Sequence, residues 1–200
     1  ELGASNIEVI GNIKLAQLPV ISNLFEKQKD RVITAASTHE NEEELILDSF
    51  RKEQGKLVIV PRHPERFDKV DLLIKSYVKN KNLKYHRYSE KESFDSDIIL
   101  LDKMGLLNEV YAISDLVILG GAFEKIGGHN PIEPAFFSCK IISGKNIFNQ
   151  KPLFECIKNY YLIDNKELSE YLNNIEKLEK PVLTKAGSIE PIIKEINKWH

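Results

Sequence analysis

The 200 residues carry 42% hydrophobic and 29% charged side chains at a formal net charge of -2, enough apolar content for one buried core and no global basic field to hold nucleic acid or an anionic membrane. Cys139 and Cys156 have neither zinc nor CxxC spacing and are too few for a disulfide framework. No run approaches the ~20 apolar residues of a membrane span and no signal peptide opens the chain, so the composition describes a soluble, cytoplasmic piece with reduced cysteines whose anion site, if it has one, is local.

The opening ELGASNIEVIGN reads as a helix end, a strand at 7–10 and a Gly-Asn turn. Starting at Glu1 without a methionine, it predicts a fragment of a longer protein, with residues 1–30 as interdomain linker and first elements and 31–200 as one domain. From residue 31 short β-branched runs alternate with longer helical stretches, the pattern of a parallel sheet with crossover helices. Strands are predicted at 32–36, 57–60, 84–88, 97–101, 116–119, 140–143 and 161–163, several of them continuous apolar runs as buried parallel strands are. Helices are predicted at 41–54, 66–79, 106–113, 132–137, 150–159, 166–178 and 188–199. This order gives an α/β fold, a Rossmann-like doubly wound parallel sheet, in which ligands bind beyond the carboxyl ends of the strands.

Three unusual polar clusters each follow a predicted strand, and so share that edge. After the first strand, Ser37-Thr38-His39-Glu40 leads into Asn41-Glu42-Glu43-Glu44. Ser37, Thr38 and His39 face the ligand edge, where a hydroxyl can hold a phosphate oxygen or cap the helix. The three glutamates read as solvated first-turn residues favoured by the helix dipole, with one available for a capping box. After the second strand comes Pro61-Arg62-His63-Pro64-Glu65-Arg66-Phe67, where two prolines stiffen the turn around an Arg-His pair. Arg62 offers a planar fork to a phosphate or carboxylate, or else pairs with a surface acid; Arg66 reads as the partner of Glu65 or a neighbouring acid.

The third cluster is GGAFEKIGGHNPIEP at 120–134, with Gly120, Gly121, Gly127 and Gly128 packed behind an apolar strand. Glycines there let backbone amides approach an anion, and Asn130-Pro131 opens a helix with a positive amino end. Pro131 suits the first helical position. Asn130 either caps that helix or contacts a ligand, Glu133 either serves the dipole or accepts ribose hydroxyls, and His129 either donates to a phosphate or stays a neutral loop residue. Lys145, Asn146 and Asn149 further on read as a polar loop. The chain has no GxSxG, HExxH, GxxxxGK[ST] or GxGxxG motif. Metal ligation by His39, His63 and His129 requires the three loops to converge, and a phosphate or sugar acid suits the same residues better, so no metal is expected.

Taken together, GNIK at 11–14, ASTHENEE at 36–43, PRHPERF at 61–67 and GGAFEKIGGHNPIEPA at 120–135 resemble, in order, the blocks of the 3-deoxy-D-manno-octulosonic acid (Kdo) transferases. The resemblance implies the carboxyl-terminal half of a GT-B glycosyltransferase. This half would bind the donor, CMP-Kdo or CMP, with no cofactor, while a missing amino-terminal domain would hold the lipid A precursor, the general base and the membrane contact. It places the whole enzyme at the cytoplasmic face of the bacterial inner membrane, transferring Kdo with inversion in lipopolysaccharide core synthesis, and leaves the isolated domain inactive. Carried over, Arg62 stabilises the leaving group and with His63 steadies the phosphate or the Kdo carboxylate. The Gly120-Gly121 and Gly127-Gly128 turns admit the nucleotide phosphate, Asn130 contacts sugar or phosphate, Glu133 takes the ribose, and Ser37 and Thr38 line the cleft mouth. Two alternatives stay open: a GT-B relative acting on a UDP-sugar as transferase or 2-epimerase, and a non-catalytic nucleotide-sugar-binding domain.

Overall fold

The computed structural model describes residue 3 and residues 19–22, 25–184, 193–194 and 197. The strand expected at 7–10, the GNIK block at 11–14 and most of the helix expected at 188–199 lie outside the described residues.

Seven parallel strands form one sheet in the order β3-β4-β2-β1-β5-β6-β8. They are β1 (Val32–Thr38), β2 (Lys56–Pro61), β3 (Tyr85–Arg87), β4 (Ile98–Leu100), β5 (Leu116–Leu119), β6 (Lys140–Gly144) and β8 (Tyr161–Ile163). Each coincides with a predicted strand. The parallel, doubly wound α/β class expected from the alternation is the one observed, because strands covered on both faces must be apolar at consecutive positions.

Alternation within each strand sorts the core into two layers. Ile33, Ala35, Leu57, Ile59, Ile118 and Ile142 pack with Ile46 and Leu47 of helix α1 (Glu42–Ser49) and Phe50 just after it, Val70 and Ile74 of α2 (Phe67–Val78) and Leu168 and Leu172 of α6 (Leu168–Asn173). On the other face, Val117, Leu119 and Ile141 meet Tyr111 of α3 (Leu107–Ile113), Ile132 and Ala135 of α4 (Ile132–Phe136) and Phe154 of α5 (Lys151–Phe154). Val32, Val58 and Ile99 continue that layer against Val110 and Ile113. The polar Thr34 is tolerated inside because its hydroxyl shares a 2.6 Å hydrogen bond with Ser114.

Three helices differ from expectation. The stretch 41–54 breaks at Phe50, whose extended backbone buries its ring, and resumes as a 3-10 turn at Lys52–Gln54 closed by a capping box from Arg51 to Gln54. The stretch 166–178 breaks at Asn174, leaving α6 and a 3-10 turn at Ile175–Lys177. The helix expected at 150–159 stops after Phe154. There the β-branched, buried Ile157 extends as β7 (Ile157–Lys158), antiparallel to β9 (Val182–Leu183), and Asn159, at φ 59, turns the chain into β8.

What positions the site is the direction of the chain. From β1 it moves to β2 and β4 on one side, whereas β5 and β6 lie on the other. The order reverses between β1 and β5, so the loops leaving these two strands part at their carboxyl ends and form a crevice.

Candidate functional site

The end of β1 is bent by a bulge. Its register against β2 shifts between Ala36 and Thr38, with Ser37 in the left-handed region at φ 54. The bend turns His39 across the crevice toward the loop after β5. Its Nε2 lies 2.8 Å from Nε2 of His129, and the two rings are 7° from parallel. They meet nitrogen to nitrogen in nearly one plane, so one imidazole donates and the other accepts. The His63 ring stands edge-on to His39 at 5.5 Å. Clusters far apart in sequence are thus brought together by their common position after parallel strands.

Both members of the pair are held neutral. Burial, then the charges of His39, Arg62 and His63, lower the His129 pKa to about 4. Burial, followed by His63 and Arg66, also lowers that of His39. Arg62 stands beside them, its backbone N–H donating to the Thr38 carbonyl at 3.0 Å and its side chain exposed. Among the described residues its guanidinium makes no ion pair. A guanidinium without an ion-pair partner next to neutral imidazoles makes a cluster that costs little to present to an anion. The three histidine loops do converge, yet among the described residues no group of three or more His, Cys, Asp or Glu is arranged to hold a metal ion.

Arg66 plays a different part. It grips Glu43, not Glu65, through two parallel bonds of 2.6 and 2.9 Å. Thr38, expected to offer its hydroxyl at the cleft mouth, is fully buried and donates to the same Glu43 at 2.7 Å. Only Ser37 of the hydroxyl pair retains partial exposure. Of the three glutamates expected to be solvated, Glu44 is exposed, whereas Glu42 and Glu43 are each 1% exposed and correct the expectation.

The double-glycine loop also departs from expectation. The amides of its first turn do not face open solvent. Gly121, Ala122 and Phe123 donate to the Glu42 carboxylate at 2.8, 3.1 and 3.0 Å, so the nest predicted to receive a ligand phosphate is occupied from within. Glycine is nonetheless required there. A Cβ on Gly120 would sit 2.5 Å from the Ser37 carbonyl oxygen, and one on Gly121, at φ +73, would sit 2.8 Å from His129 Cδ2. The loop closes through Gly128 N–H to the Gly121 carbonyl at 2.7 Å.

Asn146 and Asn149, expected as an ordinary polar loop, brace it from outside. Asn146 donates from backbone and side chain to the Ala122 carbonyl, both at 3.0 Å, and Asn149 donates to the carbonyls of Gly127 and Ile126 at 3.1 and 3.0 Å. Beyond the glycines, α4 begins at Ile132 as predicted, with Pro131 at the cap and not in the first helical position. Asn130 Oδ1 accepts the Ile132 N–H at 3.0 Å while its Nδ2 donates to Glu133 Oε1 at 2.9 Å. Glu133, half-buried, is thereby tied to the residue that opens its helix.

A doubly wound parallel sheet with an arginine and three histidines gathered at its reversal point has the architecture of nucleotide-binding α/β domains. No protein-family model matches the chain. It is 36% identical to a 3-deoxy-D-manno-octulosonic acid transferase of Haemophilus influenzae, over 88% of this chain and 43% of that protein. It is also 36% identical to a bifunctional glycosyltransferase/methyltransferase of Fusobacterium nucleatum, over 89% of this chain and 30% of that protein. The crystal structure of the C-terminal CMP-Kdo binding domain of WaaA from Acinetobacter baumannii superimposes with a TM-score of 0.62 at 30% identity, covering 72% of this chain and 79% of that one. The chain belongs to the Kdo transferase family and has the fold of the carboxyl-terminal half of these GT-B proteins. It spans less than half the length of these curated relatives.

Proposed function

We propose that the chain is the donor-binding half of a Kdo transferase and takes CMP-Kdo, or CMP, at the crevice between β1 and β5. The observation that carries this reading is the convergence of His39, Arg62, His63 and His129 at the reversal point of the sheet. The name of the A. baumannii domain supports the choice of ligand.

In this reading Arg62 is the catalytic residue of the chain. As the bond between the Kdo anomeric carbon and the phosphate oxygen breaks, charge grows on the CMP phosphate, and a fixed guanidinium stabilises it without reorganising. His63 and, of the neutral pair, the ring that accepts at Nε2 and so keeps its N–H on Nδ1 donate to the phosphate or the Kdo carboxylate. The Gly127-Gly128 turn and Asn130 line the sugar-phosphate path, Glu133 accepts the ribose hydroxyls, and Ser37 stands at the mouth. Gly120, Gly121 and Thr38 serve by shaping the loops, since their amide or hydroxyl groups already have partners or face Glu42 and Glu43. In the whole protein a preceding domain supplies the acceptor site for the lipid A precursor, the general base and the contact with the cytoplasmic face of the inner membrane. Residues 1–30 then form the connection between the two, leaving 31–200 as the donor domain. Among the described residues no helix is long and apolar enough to cross a membrane.

Titration calorimetry with CMP, UMP and UDP tests the reading. CMP is expected to bind in preference to both uridine nucleotides; equal binding, or preference for UDP, rejects it in favour of a UDP-sugar enzyme.

A further inference from the structure

Glu42 stands in the first turn of α1, where a carboxylate normally reaches into solvent to meet the helix dipole. This one is turned away from its own helix. Its Oε2 accepts N–H groups from Gly121 at 2.8 Å and from His39 at 3.0 Å. Its Oε1 accepts from Ala122 at 3.1 Å, Phe123 at 3.0 Å and, more loosely, Glu124 at 3.4 Å. The donors belong to two separate loops, one leaving β1 and the other leaving β5. A carboxylate offers about four lone-pair positions, so this group is filled by backbone donors alone. Burial raises its pKa and the N–H donors oppose that rise. Gly120 leaves the room for it: a Cβ there would lie 2.9 Å from Glu42 Oε2.

We propose that Glu42 is a positioning residue for the donor site: its carboxylate clamps the loop after β5 onto the loop after β1 and so sets the contact between His39 and His129. The clamp grips His39 by its own amide and reaches Gly121, whose α-carbon is packed against the His129 ring. Both imidazoles are therefore referenced to one carboxylate. Five donors aimed at a single anion also make the site selective for that charge, because a neutral side chain of the same length accepts at only one of the two oxygen positions. Glutamine offers one carbonyl oxygen and one NH2 group. With its oxygen at the Oε1 position the NH2 faces Gly121 and His39 and the loop after β1 is released; with its oxygen at the Oε2 position the NH2 faces Ala122, Phe123 and Glu124, and the loop after β5 keeps only the Gly121 bond. The proposal rests on the reading of this crevice as a nucleotide-sugar site.

The test compares Glu42→Gln and Arg62→Ala with the unaltered 200-residue chain. Two quantities are measured: CMP affinity by calorimetry and, without ligand, the imidazole 15N resonances of His39 and His129 by NMR. Glu42→Gln is expected to remain folded by circular dichroism, to weaken CMP at least tenfold, and to shift both imidazole signals toward those of unpaired tautomers. Arg62→Ala is expected to weaken CMP while leaving the imidazole signals in place. A Glu42→Gln chain whose imidazole signals or CMP affinity match the unaltered chain overturns the proposal. If that variant does not fold, Glu42→Asp, which keeps the charge and withdraws it by one methylene, is expected to shift the same signals less, and unchanged signals overturn the clamp. An unaltered chain that does not bind CMP rejects the donor reading, and the ligand-free imidazole signals then decide the clamp alone.

Discussion

Arg66 holds Glu43 in a two-pronged pair, 2.6 Å to Oε1 and 2.9 Å to Oε2, with the Glu43 side chain 1% exposed. Thr38 adds a third donor to the same carboxylate. Removing Arg66 leaves a buried carboxylate without its cation, and such losses cost about 3–5 kcal/mol. Arg66→Ala is therefore expected to lower unfolding free energy by that amount in urea titrations. Arg66→Lys recovers only part of it, since an ammonium cannot reproduce the fork.

Arg62, four residues earlier in the same motif, predicts the opposite profile. Its side chain is exposed and makes no ion pair among the described residues. Arg62→Ala should change stability by no more than about 0.5 kcal/mol. It should weaken CMP by about 1.5–3 kcal/mol, the worth of a charge-assisted bond, as read by calorimetry. Measured together, the two arginines separate folding from binding within a single seven-residue block.

That division is partly legible in the sequence, which reads Arg62 as a fork for an anion and Arg66 as the partner of an acid; what it does not show is that the acid is the buried Glu43, brought in from the helix after β1, and not Glu65. The strands were readable because burial on both faces forces continuous apolar runs; residues 116–119 are predicted and found as the same four-residue strand, Leu116–Leu119. Clustering of the polar motifs at one sheet edge follows from strand direction alone. The clamp carboxylates leave a weaker trace. Glu42 and Glu43 precede the buried Ile46 and Leu47 by four residues each, on the same helix face, a register overridden by the ordinary preference for acids in a first turn. Asn146 and Asn149 leave no local trace, because their acceptors Ala122 and Gly127 lie more than twenty residues back. The end of α5 is missed for a similar reason, since Ile157 pairs with Leu183 across the chain.

The histidine pair predicts how stability depends on pH. In the folded chain the His129 pKa is lowered to about 4 from an ordinary value near 6.5, chiefly by burial. Between these values the unfolded chain binds more protons, so stability rises with pH through this window and is lost as pH falls from about 6.5 toward about 4. The lowered His39 acts in the same direction. Melting temperature is expected to drop over this interval, and His129→Gln, which removes the titrating group, should flatten the slope. An equally steep slope in the variant would assign the loss to other groups.

The last prediction concerns the glycine against which His129 rests. Gly121 has φ +73, a region that costs an L-residue roughly 1–2 kcal/mol, and an added Cβ would lie 2.8 Å from Cδ2 and 2.9 Å from Nε2 of His129. Such distances are shorter than contact allows, so the ring must rotate or the loop must move. The loop is restrained by its amide bonds to Glu42 and by the Gly128 N–H to the Gly121 carbonyl. The ring, held chiefly by its 2.8 Å bond to His39, is the softer element. Gly121→Ala is therefore expected to lower unfolding free energy by about 1–3 kcal/mol and to break the His39–His129 contact. The second effect can be read in the ligand-free imidazole resonances, while the amide signals of Ala122 and Phe123 keep the shifts of carboxylate-bound N–H groups. Loss of those amide shifts with the imidazole signals unchanged would show that the loop yields before the ring, reversing the order of stiffness that these hydrogen bonds imply.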